Sequence, residues 1–142
     1  MWQILLCAHV GGDMGDLQFL QQKSDAGNLI IVTGNRNTAG VIVSYTVPNG
    51  KTFVLYKAKT DVKVTTITND NMDLRNNGII RDTNISTISG NTFNGVASAT
   101  AVSEQFIIEG DTLVGDGVKT FDINLSVSGG NTVYGTIIGY LE

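Results

Sequence analysis

One histidine, one cysteine and one proline are all that 142 residues supply of three residue types that commonly mark chemistry or rigid turns. A single cysteine, Cys7, permits no internal disulfide, so the fold must stand on its core alone. A single histidine, His9, falls short of the four His or Cys donors of a structural zinc site. Charge is scarce too: Asp, Glu, Lys and Arg make up 15% of the chain, against about 25% in ordinary globular domains. Nine residues are basic and the net charge is −4. Nucleic acid is therefore not an expected partner, because a phosphate surface is held by clustered Lys and Arg.

Long apolar runs are also missing. None approaches the ~18 residues that mark a membrane helix, so no membrane insertion is expected. The apolar stretch Trp2 to Val10 lacks a basic leading region and a small-residue cleavage site, and so is not read as a signal peptide. The expectation is a protein made and kept in a cytoplasm, at least until assembly. Asn84-Ile85-Ser86 and Asn124-Leu125-Ser126 then match the glycosylation sequon by chance.

Catalytic signatures are absent in the same way. No phosphate-cradling glycine loop, GxSxG elbow, HExxH or CxxC occurs. Cys7 and His9 project to one side if their run is a strand, but neighbours on one strand are badly placed for nucleophilic attack. Asp70 and Asp73, and Glu109, Asp111 and Asp116, carry the oxygen donors Ca²⁺ prefers, without EF-hand spacing. Asp and Asn are also ordinary turn formers. Paired carboxylates for glycoside cleavage have no supporting motif. Lys51, Lys57, Lys59 and Lys63 are the densest basic group, and solvated strand faces are the plainer reading of them. The expectation is no catalytic, cofactor or metal residue, and no enzyme.

What the chain does have is Thr, Ser, Asn and Gly among β-branched residues. Thr suits a pleated surface; Asn and Gly suit reversals. The clearest stretch is Val41 to Val64. Val41, Val43, Tyr45 and Val47 alternate, Pro48-Asn49-Gly50-Lys51 turns the chain, and Phe53, Leu55 and Lys57 alternate with Thr52, Val54 and Tyr56. This predicts a strand, a tight reversal with Pro48 at its first corner, and a second strand. Further strands are expected at Leu29 to Val32, Asp61 to Thr68, Ile79 to Arg81, Ile85 to Ile88 and Phe106 to Glu109. Phe121 to Val127 alternates without a break, Gly129-Gly130-Asn131 turns it, and Val133 to Leu141 returns. Ala97 to Val102 reads as strand or loop.

About eight short strands separated by turns indicate an all-β antiparallel sandwich or barrel. Residues 29–142 are assigned to it, and residues 1–28 to an N-terminal arm or short helix. There, Gly11 to Gly15 reads as a hinge and Asp16 as the cap of a helix over Leu17 to Lys23. The arm either reaches into an adjacent subunit or folds onto its own domain. The aromatics fall at alternating strand positions, as core residues do; Phe93 and Tyr134 are the candidates for an exposed sugar-stacking ring.

Tyr45-Thr46-Val47-Pro48-Asn49-Gly50-Lys51-Thr52-Phe53, Ile108-Glu109-Gly110-Asp111-Thr112-Leu113 and Ile138-Gly139-Tyr140-Leu141 together resemble a family. They are similar to motifs of the small jelly-roll virion proteins of tailed bacteriophages and related archaeal viruses: capsid decoration, head-fibre and spike proteins. The resemblance spans residues 41–142. It implies a jelly-roll-like sandwich and a non-enzymatic structural protein of the virion. It further implies a homotrimer that docks on a major capsid or other virion protein through its N-terminal arm. The alternative is a carbohydrate- or receptor-binding β-sandwich module, for instance one that recognises a host-surface glycan.

Overall fold

The structure, a computed structural model, describes residues 14–66, 68–86, 92–93, 96–97 and 101–142. Cys7, His9 and Gly11 to Asp13 lie outside the described residues. One helix, α1 (Met14–Asp25), precedes eleven strands: β1 (Leu29–Arg36), β2 (Gly40–Thr46), β3 (Thr52–Lys63), β4 (Asn71–Asn76), β5 (Ile79–Ile85), β6 (Thr92–Phe93), β7 (Val96–Ala97), β8 (Ala101–Gln105), β9 (Thr112–Val114), β10 (Thr120–Val127) and β11 (Thr132–Leu141).

Two antiparallel sheets form the body. The first runs β1-β11-β3-β8, with β9 also on β3; the second runs β2-β10-β4-β5. Strands β8 and β9 pair with opposite ends of the same edge of β3, Ala101–Gln105 with Lys59–Lys63 and Thr112–Val114 with Thr52–Val54. Counted as one interrupted strand, they make the pattern plain. The first four strands pair in reverse order with the last four: β1 with β11, β2 with β10, β3 with β8 and β9, β4 with β5. This is an antiparallel β-sandwich with jelly-roll winding. The short β6–β7 ladder stands apart from both sheets.

The Pro48 stretch differs from its expected form. It is not a hairpin within one sheet, because β2 and β3 belong to different sheets. It is a corner that carries the chain across the sandwich. The Lys51 amide donates to the Pro48 carbonyl at 3.1 Å, and Gly50 has φ 76°. Pro48 is thus the first of the four turn residues, and Gly50 takes the left-handed position of a type II-like turn. The turn after β10 is likewise a sheet-switching corner, since β10 and β11 lie in opposite layers.

Bulges explain why simple alternation fails along β2 and β3. The register of β10 on β2 shifts between Ile123 and Asn124, so Ile42 is buried while Val41 is 40% exposed. A second shift, between Ile138 and Gly139, slips β3 by one residue near Tyr56. Beyond it Ala58, Thr60 and Val62 are buried, and Lys57, Lys59 and Lys63 are not. Other expectations also moved: Phe106 to Glu109 lies in the loop between β8 and β9 and is not a strand. Strand β3 ends at Lys63 instead of continuing to Thr68. Ile79 to Ile85 is one strand where an interruption at Asp82 to Asn84 was expected, and Ile85 ends it; residues 87 and 88 of the strand expected over Ile85 to Ile88 lie outside the described residues. Helix α1 starts at Met14, so Asp16 lies in its first turn and is not its cap, and Gly15 is helical, not a hinge.

The core lies between the layers. Phe53 of the first sheet packs against Tyr45 and Phe121 of the second, with ring centroids 5.3 and 5.4 Å away. Tyr45 and Phe121 are themselves a cross-strand pair. Val47, Leu55, Val62, Met72, Leu74, Phe106, Ile123, Leu125, Val133 and Ile137 are also fully buried. Each such side chain contributes about 1.5–3 kcal/mol relative to exposure.

Helix α1 rests on the outside of the first sheet. Phe19 meets Tyr140 edge-on at 5.0 Å, and the Lys23 ammonium lies 4.6 Å from the Tyr140 ring centre. Its C-terminus closes with the Asn28 amide on the Lys23 carbonyl, the Gly27 amide on the Ser24 carbonyl, and Gly27 at φ 74°. That is a Schellman closure, which fixes the helix's exit into β1. Of the two expectations for the arm, its helical part folds onto its own domain.

Candidate functional site

The three motifs behind the family resemblance, far apart in sequence, meet at the first half of β3. On one side Thr52, Phe53 and Val54 pair with Val114, Leu113 and Thr112. On the other, Phe53, Val54 and Leu55 pair with Leu141, Tyr140 and Gly139. The Leu55 amide donates to the Asp111 carbonyl, and the Gly110 amide to the Leu55 carbonyl, both at 2.8 Å. Gly139 is glycine for a steric reason: a Cβ there would lie 2.2 Å from the Phe53 ring and 2.5 Å from the Val54 carbonyl oxygen. Gly115 similarly lets the β9–β10 loop pass 2.2 Å (in Cβ terms) from the Pro48 carbonyl oxygen. These residues build a corner of the sandwich, and their packing accounts for their chemistry.

The acidic residues singled out as calcium candidates are dispersed. Asp70 is fully buried and accepts from the Gly129 amide at 2.6 Å and Asn131 Nδ2 at 2.9 Å. Asp73 accepts from the Thr83 hydroxyl. Asp111 accepts from Asn76 Nδ2 and Arg81 Nε. Asp116, exposed, accepts from the Val118 and Lys119 amides, which hold its carboxyl below the usual carboxylate range. Glu109 is exposed. Among the described residues no three His, Cys, Asp or Glu side chains converge as a metal cluster.

The lysine stripe is broken by an acid between its members. Lys59 pairs with Asp61 at 3.2 Å on the outer face of β3. The Ser103 hydroxyl on β8, with help from Lys59, holds the Asp61 carboxyl below its ordinary range. Lys57 leans over the Tyr56 ring. On the outer face of the second sheet, Asp122 takes a bidentate grip from Arg75, at 2.7 and 3.0 Å, which pushes the guanidinium still higher.

Two arrangements escaped the sequence. One is a buried polar hub at the end of the sandwich away from Pro48. Asn131, fully buried, accepts from the Thr65 and Thr66 amides at 2.7 and 2.8 Å and donates to Thr68 O and Asp70 Oδ2. Ser86 adds a hydroxyl to the Asp70 amide at 2.7 Å. Asn131 read as a turn former; nothing in its local pattern told that its side chain would tie the β3–β4 loop to the β10–β11 turn. The other is an open cleft of about 290 Å³ beside α1, lined by Phe19, Val54, Tyr56, Glu109 and Tyr140. Tyr134, a sugar-stacking candidate, is 43% exposed on β11, whereas the Phe93 side chain lies outside the described residues. The sequon residue Asn84 is buried and donates inward to Thr60 Oγ1 and Glu104 O, so it is no glycan acceptor in the folded chain.

No protein-family model matches this chain, and no curated protein matches it. Among solved structures the chain is similar to the insecticidal delta-endotoxin Cry8Ea1 from Bacillus thuringiensis, at 12% identity with a TM-score of 0.37. The match covers 76% of this chain and 19% of that one, so the chain spans about a fifth of the toxin's length. At that identity and TM-score nothing about activity transfers. The chain is described by its architecture, an antiparallel β-sandwich with one docked helix.

Proposed function

We propose that this chain is a non-enzymatic structural protein of a virus particle, of the capsid decoration, head-fibre or spike kind. In this reading it is made in the host cytoplasm and ends in the virion. It self-associates as a homotrimer and docks on a major capsid or other virion protein through its N-terminal arm. One observation carries the reading. The three motifs that resemble phage and archaeal-virus jelly rolls pack as one corner around Phe53, and so behave as a single structural unit. The jelly-roll winding is in keeping with it, since viral capsid proteins are among the users of that fold, though fold alone never assigns function. Native mass spectrometry of the purified chain should show a trimer. A clean monomer at micromolar concentration would count heavily against the proposal.

A second reading, a carbohydrate- or receptor-binding module, is favoured by the cleft beside α1. Tyr56 and Tyr140 bring aromatic surface to it, and Glu109 brings a carboxylate; aromatic faces with a few polar groups suit a glycan. Binding on a glycan array that is lost in Tyr140→Ala but kept in Tyr134→Ala would support this cleft. An array without any binder would retire it.

A further inference from the structure

Strand β5 is an edge of the second sheet, and side chains stitch it to the 104–112 segment of the first. Asn84 Nδ2 reaches Glu104 O at 3.3 Å, the Ile107 amide reaches Asp82 Oδ2 at 2.9 Å, and Arg81 Nε reaches Asp111 Oδ2 at 3.0 Å. The two layers thus share one continuous flank. Along it stand Ile79, Ile80, Ile85, Ile107 and Val114, respectively 65, 56, 48, 84 and 64% exposed. They are half of the large exposed apolar side chains among the described residues.

The opposite flank is built differently. There β1 crosses close onto β2: a Cβ on Gly34 would lie 2.2 Å from the Ile42 carbonyl oxygen. Of the large apolar side chains on that pair of strands, only Ile31 and Val41 stand exposed. So the fold closes one side of the sandwich with its own backbone and leaves the other with an aliphatic strip on an edge strand. Such an edge is a ready template for association unless something covers it.

Area and charge point to a second copy as the cover. The four isoleucines expose roughly 450 Å² together, within the range of the largest single patch on a typical monomer. The rim does not repel its own copy. Arg81 is neutralised by Asp111, and Asp82 is engaged by the Ile107 amide, so neither presents a lone charge to a second copy. We propose that this flank faces the symmetry axis of the homo-oligomer, each copy burying Ile79, Ile80, Ile85 and Ile107 against the next. This rests on the reading that the chain self-associates, and adds which surface does it.

The test is sedimentation equilibrium on the full chain, its Ile80→Lys/Ile107→Lys variant, and Ile31→Lys on the closed flank. The double variant should keep the far-UV spectrum and melting behaviour of the parent, since both side chains are already exposed. Its assembly constant should fall about a hundredfold or more, while Ile31→Lys assembles like the parent. Should the double variant not fold, Ile107→Asp alone, at the most exposed position, serves the same purpose. A flank variant that assembles like the parent overturns the assignment of this surface while self-association stands. A parent chain that is monomeric overturns both.

Discussion

Gly139→Ala should lower the melting temperature by roughly 10 °C, the equivalent of about 3 kcal/mol in a domain of this size. The added methyl would lie 2.2 Å from Phe53 Cζ and 2.5 Å from the Val54 carbonyl oxygen. The ring cannot retreat, because Tyr45 and Phe121 stand behind it. Nor can the oxygen, because Val54 sits in a β3 register paired on both sides. Overpacking of this kind ordinarily costs about 1–3 kcal/mol, and a backbone contact moves it to the upper end. Phe53→Leu alone should cost about 1–2 kcal/mol through the space it leaves. Combined with Gly139→Ala it should recover part of the loss, giving a favourable coupling of about 1 kcal/mol in a thermal or urea double-mutant cycle. Melting of Gly139→Ala within 2 °C or so of the parent would show that the corner yields more than its packing implies.

Asn131→Ala should be comparably damaging, at about 3–5 kcal/mol. The side chain makes four hydrogen bonds from a fully buried position. Removing it strands two amides, a carbonyl and one oxygen of the buried Asp70, and each stranded group costs about 1–3 kcal/mol before any water enters. Asn131→Asp separates hydrogen bonding from shape. It keeps the Oδ1 acceptor shared by the Thr65 and Thr66 amides but sets a second carboxyl against Asp70. Two such carboxylates resist ionising together, so protonating one relieves the strain. The stability deficit of Asn131→Asp relative to the parent should therefore be largest near neutral pH and shrink toward pH 4. The deficit of Asn131→Ala should not shrink in that way. Equal pH profiles for the two variants, by urea denaturation, would refute a close Asn131–Asp70 contact.

Both predictions turn on residues whose local sequence says little. Gly139 stands in a strand of ordinary pattern, and Asn131 follows two glycines as any turn residue might. Their partners lie 85 or more residues away in the case of Phe53, and 61 in the case of Asp70. The contrast with Phe121 to Val127 is instructive. There the alternation was legible because a strand at the sandwich interior needs every second side chain apolar, and Phe121, Ile123 and Leu125 are fully buried, whereas Val127, past a register shift, is 52% exposed. Even so, the same strand's wet face hides Asp122, 4% exposed under Arg75, which alternation alone assigns to solvent.

Composition and period were enough for the class of fold: few charges, β-branched runs and turn residues at short spacing leave little but a β-sandwich. They were also enough to find most strands, since the pleat has a local period of two. Which sheet a strand joins is not local. Pro48 to Lys51 reads identically whether it closes a hairpin or carries the chain between layers, and only the pairing of β2 with β10 and of β3 with β11 chose the latter. Bulges are decided the same way, by the partner strand, which is why Ile42 turned inward where Val41 was expected. The aliphatic flank along β5 likewise needed the tertiary structure, because exposure depends on what packs over a residue and not on its type.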